Sequence, residues 1–196
     1  MPPAYDARVE ATEKSGRRDL LRAARRERAA RRDRTADDAA LAARVTALVA
    51  DLGLGGGAVV LSYEALVREP PTAGANAALA AGGLEVLLPV TEPDLDLDWC
   101  PLAAPEVRLG RGAPGRADLV LAPGLAVDRQ GTRIGQGGGS YDRALTRVRP
   151  GTPVVVLLHP GELVEGADLP REPHDVPVDA VLTADGLTDL RAPDRR

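Results

Sequence analysis

The run Gly135-Gln136-Gly137-Gly138-Gly139-Ser140-Tyr141-Asp142-Arg143 is the stretch of this sequence best suited to chemistry. Four glycines in five positions (135, 137, 138 and 139) permit positive φ and close approach of the backbone to a ligand. Their amide N–H groups, with the positive end of a following helix, would form a nest for phosphate oxygens. Asp142, in the first helical turn, could hold Mg2+ beside those phosphates, because magnesium takes one or two carboxylates plus phosphate oxygens. Two common nucleotide motifs do not fit. A Walker A loop needs a Gly-Lys-Ser/Thr end and no lysine is present here, while a dinucleotide fingerprint needs Gly or Ala where Ser140 stands. From spacing alone, a flexible turn competes with the phosphate cradle. The other glycine cluster, Gly53 to Gly57, precedes a strand instead of following one and reads as a connector.

A second chemical signal is charge. Residues 14–34 hold ten basic residues against three acids, so +7 there leaves −11 elsewhere for the formal net −4. A basic segment on an acidic body suits an anionic partner, either nucleic acid or nucleotide phosphate. A solvated, Arg-rich helix is the competing reading, since Arg favours helix. No aromatic side chain interleaves these arginines, which argues against nucleic acid as the partner.

The elements that must position these residues follow from hydrophobic patterning. Residues 14–33 read as a first helix, with 1–13 as a flexible tail. Thr35, followed by Asp37 and Asp38, reads as the cap of a second helix through about Ala50. Strands are expected at Ala58–Ser62, Glu85–Val90, Asp118–Ala122, Pro153–His159 and Asp179–Thr183, with helices at Thr72–Ala81 and Ser140–Val148. Gly124–Asp128 and Thr132–Gly135 flank a turn at Gln130-Gly131, and Thr91–Gly115 reads as loop. This alternation predicts a single α/β domain over 1–196, three-layered α/β/α, around a largely parallel sheet. The core must be aliphatic: Phe is absent, Ile occurs once, and the aromatics are Trp99, Tyr5, Tyr63 and Tyr141.

Several classes are excluded. The longest apolar run, at Pro153–Leu158, is far short of the roughly 18 residues of a spanning helix. One cysteine, Cys100, and two histidines, His159 and His174, cannot build a structural zinc site or a disulfide framework. With no apolar secretory segment at the N-terminus, a cytoplasmic setting is the expectation.

The segment Asp118–Leu145, DLVLAPGLAVDRQGTRIGQGGGSYDRAL, closely resembles the signature region of 5-formyltetrahydrofolate cyclo-ligases, also called methenyltetrahydrofolate synthetases. Glu69-Pro-Pro-Thr72 resembles the family's substrate-contacting Glu-x-x-Thr. Residues 85–99, 154–166 and 172–183 resemble later family segments in the same order. The resemblance spans nearly the whole chain, most specifically at the glycine loop. It implies a three-layer α/β/α fold and ATP-dependent cyclisation of 5-formyltetrahydrofolate to 5,10-methenyltetrahydrofolate. In that reaction ATP phosphorylates the formyl oxygen, N10 attacks the activated carbon, and phosphate leaves.

The resemblance also implies site residues. Gly135, Gln136, Gly137, Gly138, Gly139, Ser140, Tyr141 and Asp142 would bind ATP, with Asp142 on Mg2+. A basic pair four apart on the first helix would grip the phosphates, either Arg18 with Arg22, the preferred register, or Lys14 with Arg18. Glu69 would bind folate and Tyr141 would stand between the two ligands, whereas Trp99 and Tyr63 read as packing. His174 and Asp175 match a family His-Asp step and read as loop structure. The implied partners are ATP and 5-formyltetrahydrofolate, with no nucleic acid and no membrane. Three departures stand out: Ser140 where the family usually has Tyr, Gln136 where it often has Arg, and a shorter stretch between Trp99 and Asp118 without an evident Gly-x-x-Glu-Pro segment. They motivate an alternative, an ATP-binding paralogue with altered folate activity; a nucleic-acid module built on the Arg-rich helix is a third.

Overall fold

The computed structural model describes residues 4–166, 169–172 and 175–191, with side chains from residue 14 onward. Its centre is a seven-stranded sheet in the order β10-β9-β7-β4-β1-β2-β3. The five inner strands, β1 (Val59–Leu61), β2 (Glu85–Thr91), β4 (Leu119–Pro123), β7 (Val154–Leu157) and β9 (Ala180–Leu182), pair in parallel. The edges, β3 (Leu97–Pro101) and β10 (Leu187–Asp189), are antiparallel. Because both faces of the inner strands are covered, their sequences read as unbroken apolar runs. Alternate residues serve opposite cores: Leu119 and Leu121 of β4 pack on one face, Val120 and Ala122 on the other.

One face is covered by α2 (Arg34–Asp51), through Leu41, Val45, Leu48 and Val49, and by α3 (Ala73–Ala81), through Ala75 and Leu79. The other face carries the short α4 (Ser140–Leu145), a 3-10 turn at Ala113–Arg116, and residues leading to a small second sheet. That sheet has the order β6-β5-β8, built from β5 (Ala126–Asp128), β6 (Arg133–Ile134) and β8 (Leu163–Val164). The chain is therefore the expected three-layer α/β arrangement on a largely parallel sheet, with one outer layer partly of strand. Among the described residues, no helix is long and apolar enough to cross a membrane.

Four local expectations need correction. α1 spans Ala4–Ala30, so the segment read as a tail is helical from Ala4 onward; residues 4–15 hold neither Pro nor Gly and are mostly good helix formers. The cap of α2 is Asp33, not Thr35: its carboxylate accepts from the amides of Thr35 and Ala36 at 3.0 and 3.1 Å. Thr91–Gly115 is not all loop, since Leu97–Pro101 pairs with β2 as an edge strand and buries Trp99 completely. α4 ends at Leu145 instead of Val148.

α1 docks unusually. Lys14, Arg18, Leu21, Arg25 and Arg28 follow 4-3-4-3 spacing, which places them on one helical face. Leu21 packs on Leu125, Ala126, Ile134 and Leu169, whereas Lys14, Arg25 and Arg28 on that face are cations with protein partners. Buried Arg25 donates to both oxygens of buried Glu162, at 2.9 and 2.5 Å, and to the Gly124 carbonyl at 2.6 Å. Arg28 donates to the Gly161 carbonyl at 3.0 Å.

Candidate active site

The carboxyl ends of β1, β2 and β4 open onto one cavity of about 480 Å3. β1 has β2 on one side and β4 on the other, so the cavity lies at the switch point where open α/β sheets bind ligands. Tyr63 and Glu64 follow β1, Pro89 and Thr91 come from β2, and Pro123 and Gly124 end β4. The glycine loop and the start of α4 supply a further wall, and Lys14, Arg18, Arg133 and Glu172 add charged groups to the lining.

Gly139 enters α4 at φ 68°, a conformation that a side chain would strain. Among the described residues, the amides of 136–139 donate to no backbone carbonyl. They are therefore available to an anionic ligand. Ser140, Tyr141 and Asp142 follow directly on the cavity wall.

Beneath the loop lies a residue whose role the sequence pattern did not disclose. Arg133, 5% exposed, donates to Asp142 Oδ1 and to the Pro123 carbonyl at 3.2 Å. Its guanidinium stands 5.8 Å from the centre of the Tyr141 ring. A methyl at Gly135 would lie 2.8 Å from Arg133 Nη1, so that glycine makes the seat for this side chain. Asp142 Oδ2 has no protein donor among the described residues. Tyr141 meets Trp99 edge-on, with centroids 6.4 Å apart and planes at 85°. Burial raises the pKa of the Tyr141 phenol, which therefore stays protonated.

Of the two registers for the basic pair, Lys14 with Arg18 faces the cavity; Arg22 does not line it. Each four-residue step rotates about 40° around the helix, so Arg22 has drifted off the face that Lys14 shares with the cavity. Arg22 instead donates to Asp19 at 2.9 Å and grips Gln136 from outside, through its backbone carbonyl and side-chain oxygen. Arg18 packs along Gly137, and its buried Nε has no partner among the described residues. Lys14 is 5% exposed, with Nζ 2.8 Å from both Glu172 Oε2 and Asp175 Oδ2. Burial opposes its charge, but hydrogen bonds to Asp175 and Glu172 outweigh that and raise its pKa. Asp175 thus anchors a cavity cation; His174 lies outside the described residues.

Glu69 also lines the cavity and is buried. Its Oε2 accepts from the Leu66 amide at 3.0 Å, and its Oε1 faces Gln136 Nε2 at 3.3 Å. The loop carrying it is fixed by Arg34, which donates to the carbonyls of Val67 and Glu69 at 3.1 and 2.7 Å. Thr72 is not on the cavity; its hydroxyl donates to the Tyr63 carbonyl at 2.7 Å. Trp99 is core, as read. Tyr63, also read as packing, lines the cavity as well as packing in the core. It is the second residue after the buried strand β1, where a side chain borders the ligand crevice as readily as the core. No cluster of three or more His, Cys, Asp or Glu able to hold a metal exists among the described residues.

The chain resembles known proteins throughout. The model of the 5-formyltetrahydrofolate cyclo-ligase family matches residues 10–184. The 5-formyltetrahydrofolate cyclo-ligase of Mycolicibacterium smegmatis is 36% identical over 154 residues, covering 69% of this chain and 78% of that protein. Two solved structures share the fold. The 5,10-methenyltetrahydrofolate synthetase of Aquifex aeolicus has a TM-score of 0.71 at 22% identity, over 93% of this chain and 95% of that one. That of Mycoplasma pneumoniae has a TM-score of 0.69 at 18% identity, over 87% and 98%.

Proposed function

This chain belongs to the 5-formyltetrahydrofolate cyclo-ligase family, and from that premise we propose how its single domain, residues 1–196, carries out the ATP-dependent conversion of 5-formyltetrahydrofolate to 5,10-methenyltetrahydrofolate. The observation that supports the assignment of parts is one cavity lined by two chemically distinct sets of groups. One set is Lys14, Arg18 and a glycine loop whose amides donate to no backbone carbonyl among the described residues; the other is Tyr63 and buried Glu69, which meets the loop at Gln136.

ATP lies with its phosphates on the loop 135–139. Lys14 and Arg18 balance the triphosphate charge, and Ser140 and Tyr141 close the wall beside it. Arg22 acts from behind, holding Gln136 and so the loop's shape. Folate lies with its ring system toward Glu69, leaving the N5-formyl oxygen facing the γ-phosphate beside Tyr141. The γ-phosphoryl group passes to the formyl oxygen and ADP departs. The lone pair of N10 then closes on the activated carbon, the N10 proton passes to the phosphate group or to water, the C–O bond breaks, and phosphate carries off the oxygen. Such a site works by positioning and by stabilising the charge on the transferring phosphoryl group, and needs no strong base.

Mg2+ fits as a passenger on ATP. The protein offers no three-ligand metal cluster among its described residues, but Asp142 presents an oxygen without a protein donor beside the phosphate loop. One or two carboxylates plus phosphate oxygens satisfy magnesium, and the ion would supply charge neutralisation at the β- and γ-phosphates. Arg133 holds the Asp142 carboxylate in place.

The test is direct. Purified protein mixed with 5-formyltetrahydrofolate and Mg-ATP is expected to generate the methenyl chromophore with one ADP per turnover. No turnover, with ATP binding intact, would overturn this reading in favour of an ATP-binding paralogue.

A further inference from the structure

Among the described residues, Leu95 is the one residue other than glycine with a left-handed backbone, at φ 64°. It lies in the hairpin turn from β2 to β3, where its amide donates to the Glu92 carbonyl at 2.9 Å and the Glu92 amide donates to the Asp96 carbonyl at 2.9 Å. A tight hairpin that needs a left-handed residue ordinarily places glycine there, because a side chain makes that conformation costly. Burial does not explain the leucine, which is 50% exposed. A side chain kept at a strained position, half in water, points to a contact that the turn itself does not need.

That contact is with the glycine loop. A methyl on Gly138 would lie 3.7 Å from Leu95 Cδ1 and 4.0 Å from its Cβ, so the leucine stands over that glycine. Gly138 lines the cavity and Leu95 does not, which places the leucine behind the loop. Neither Gly137 nor Gly138 bonds through its own backbone to another backbone group among the described residues. The hairpin that carries Leu95 is also tied to the helix leaving the loop. Arg143 of α4 donates to the Leu95 carbonyl, and Arg147 donates to both oxygens of Asp96 at 2.8 and 2.6 Å. We infer that, on the phosphate reading of residues 135–139, Leu95 is a positioning residue that braces Gly137–Gly139 from behind and keeps them in one conformation before ATP arrives. A run of glycines without this support would have to be ordered by the nucleotide, at the expense of binding.

The experiment compares Leu95→Gly and Leu95→Met with the unaltered full-length chain. Glycine removes the strain and the side chain together, so the Tm of Leu95→Gly should stay within about 3 °C of the parent. Its KM for ATP should nevertheless rise roughly fivefold or more, the cost of ordering about one glycine on binding, while kcat at saturating ATP and the KM for 5-formyltetrahydrofolate stay within about twofold. In backbone nitrogen relaxation, the order parameters of Gly137–Gly139 should fall from the rigid range of about 0.85 toward about 0.6. Leu95→Met has an apolar side chain of similar reach and should recover most of both quantities. An unchanged KM for ATP overturns the proposal, as do unchanged order parameters. So does a Tm lowered by more than about 5 °C with both KM values raised together, because the leucine is then merely structural. If the parent chain shows no turnover, the reaction assignment fails by itself. Equilibrium binding of Mg-ATP then takes the place of the KM: weaker binding by Leu95→Gly supports the brace, and equal affinity overturns it.

Discussion

The pair formed by Arg133 and Asp142 fixes the cavity wall where we propose that phosphate binds, and a double-mutant cycle measures it. Arg133 is 4% exposed at its side chain and Asp142 22%. Two unit charges about 4 Å apart attract by about 4 kcal/mol at an effective dielectric of about 20. Partial exposure of Asp142 discounts this, so a coupling of roughly 2–3 kcal/mol is expected. Asp142→Asn keeps the shape and removes the charge, leaving a buried guanidinium without its counter-ion, so its destabilisation should be the larger, roughly 3 kcal/mol. Arg133→Met frees a carboxylate that water reaches and unpairs the Pro123 carbonyl, for roughly 2 kcal/mol. The double variant should be less destabilised than the sum of the two by the coupling energy. Denaturant melts with unchanged m-values supply the four stabilities. Additivity within about 0.5 kcal/mol would refute the claim that Arg133 holds this carboxylate. Activity gives an independent column: Asp142→Ala and Asp142→Asn should abolish Mg-dependent ATP use even where the protein remains folded, and retained turnover would remove Asp142 from the metal's shell.

Other consequences are open to measurement. Arg18→Met should raise the KM for ATP by roughly tenfold or more, through loss of a charge-assisted phosphate contact, whereas Arg22→Met should change it about threefold or less; equal effects would mean that Arg22 reaches the phosphates. Gly135→Ala should lower stability by roughly 1–3 kcal/mol, because Arg133 is held at both ends and cannot give way, while Gly55→Ala, with open space around it, should be neutral. His159 is buried, with Nε2 on the Arg68 carbonyl at 3.1 Å, and burial lowers its pKa below the ordinary 6.5, opposed by Glu162 and Asp37 and aided by Arg25. The unfolded chain therefore binds this proton more readily, so the contribution of His159 to stability is complete above about pH 6.5 and declines as pH falls below it. Melts of His159→Gln against the parent across that window should converge on the acid side, and parallel curves would exclude the effect.

The parallel sheet was legible because its strands are short, fully apolar runs separated by turn residues, and two-sided burial produces that signature. The edge strand at Leu97–Pro101 was not, because Asp and Pro residues surround it and its register depends on pairing with β2, a long-range event without local mark. The glycine loop could be recognised from sequence, since positive φ and close approach restrict the residue type directly. Arg133 could not, although it lies only two residues before the loop. Its importance comes from a two-residue strand that aims it at Asp142, and arginines occur at 24 places in this chain. Tyr63 was read only in part for a related reason: sequence tells that an aromatic following a buried strand will pack, but not that it also borders the cavity.

The arginine-rich segment shows where composition misleads most. Its apolar stripe is thin because the docking face of α1 is largely ionic. Lys14, Arg25 and Arg28 end on Glu172, Asp175, Glu162 and the Gly161 carbonyl, while Arg32 just beyond the helix ends on Asp37. Four of the acids outside this segment, Asp37, Glu162, Glu172 and Asp175, are thus the other half of these pairs. A buried ion pair adds little net stability compared with an apolar contact, yet removing one partner costs about 3–5 kcal/mol. Such a face therefore specifies register more than it adds strength: a helix slid or rotated by one residue would strand several charges at once. That is what the proposed phosphate site needs from α1. Lys14 and Arg18 line the cavity only if the helix cannot slide, and the pairing of Arg25 with Glu162 two turns beyond Arg18 fixes it in place.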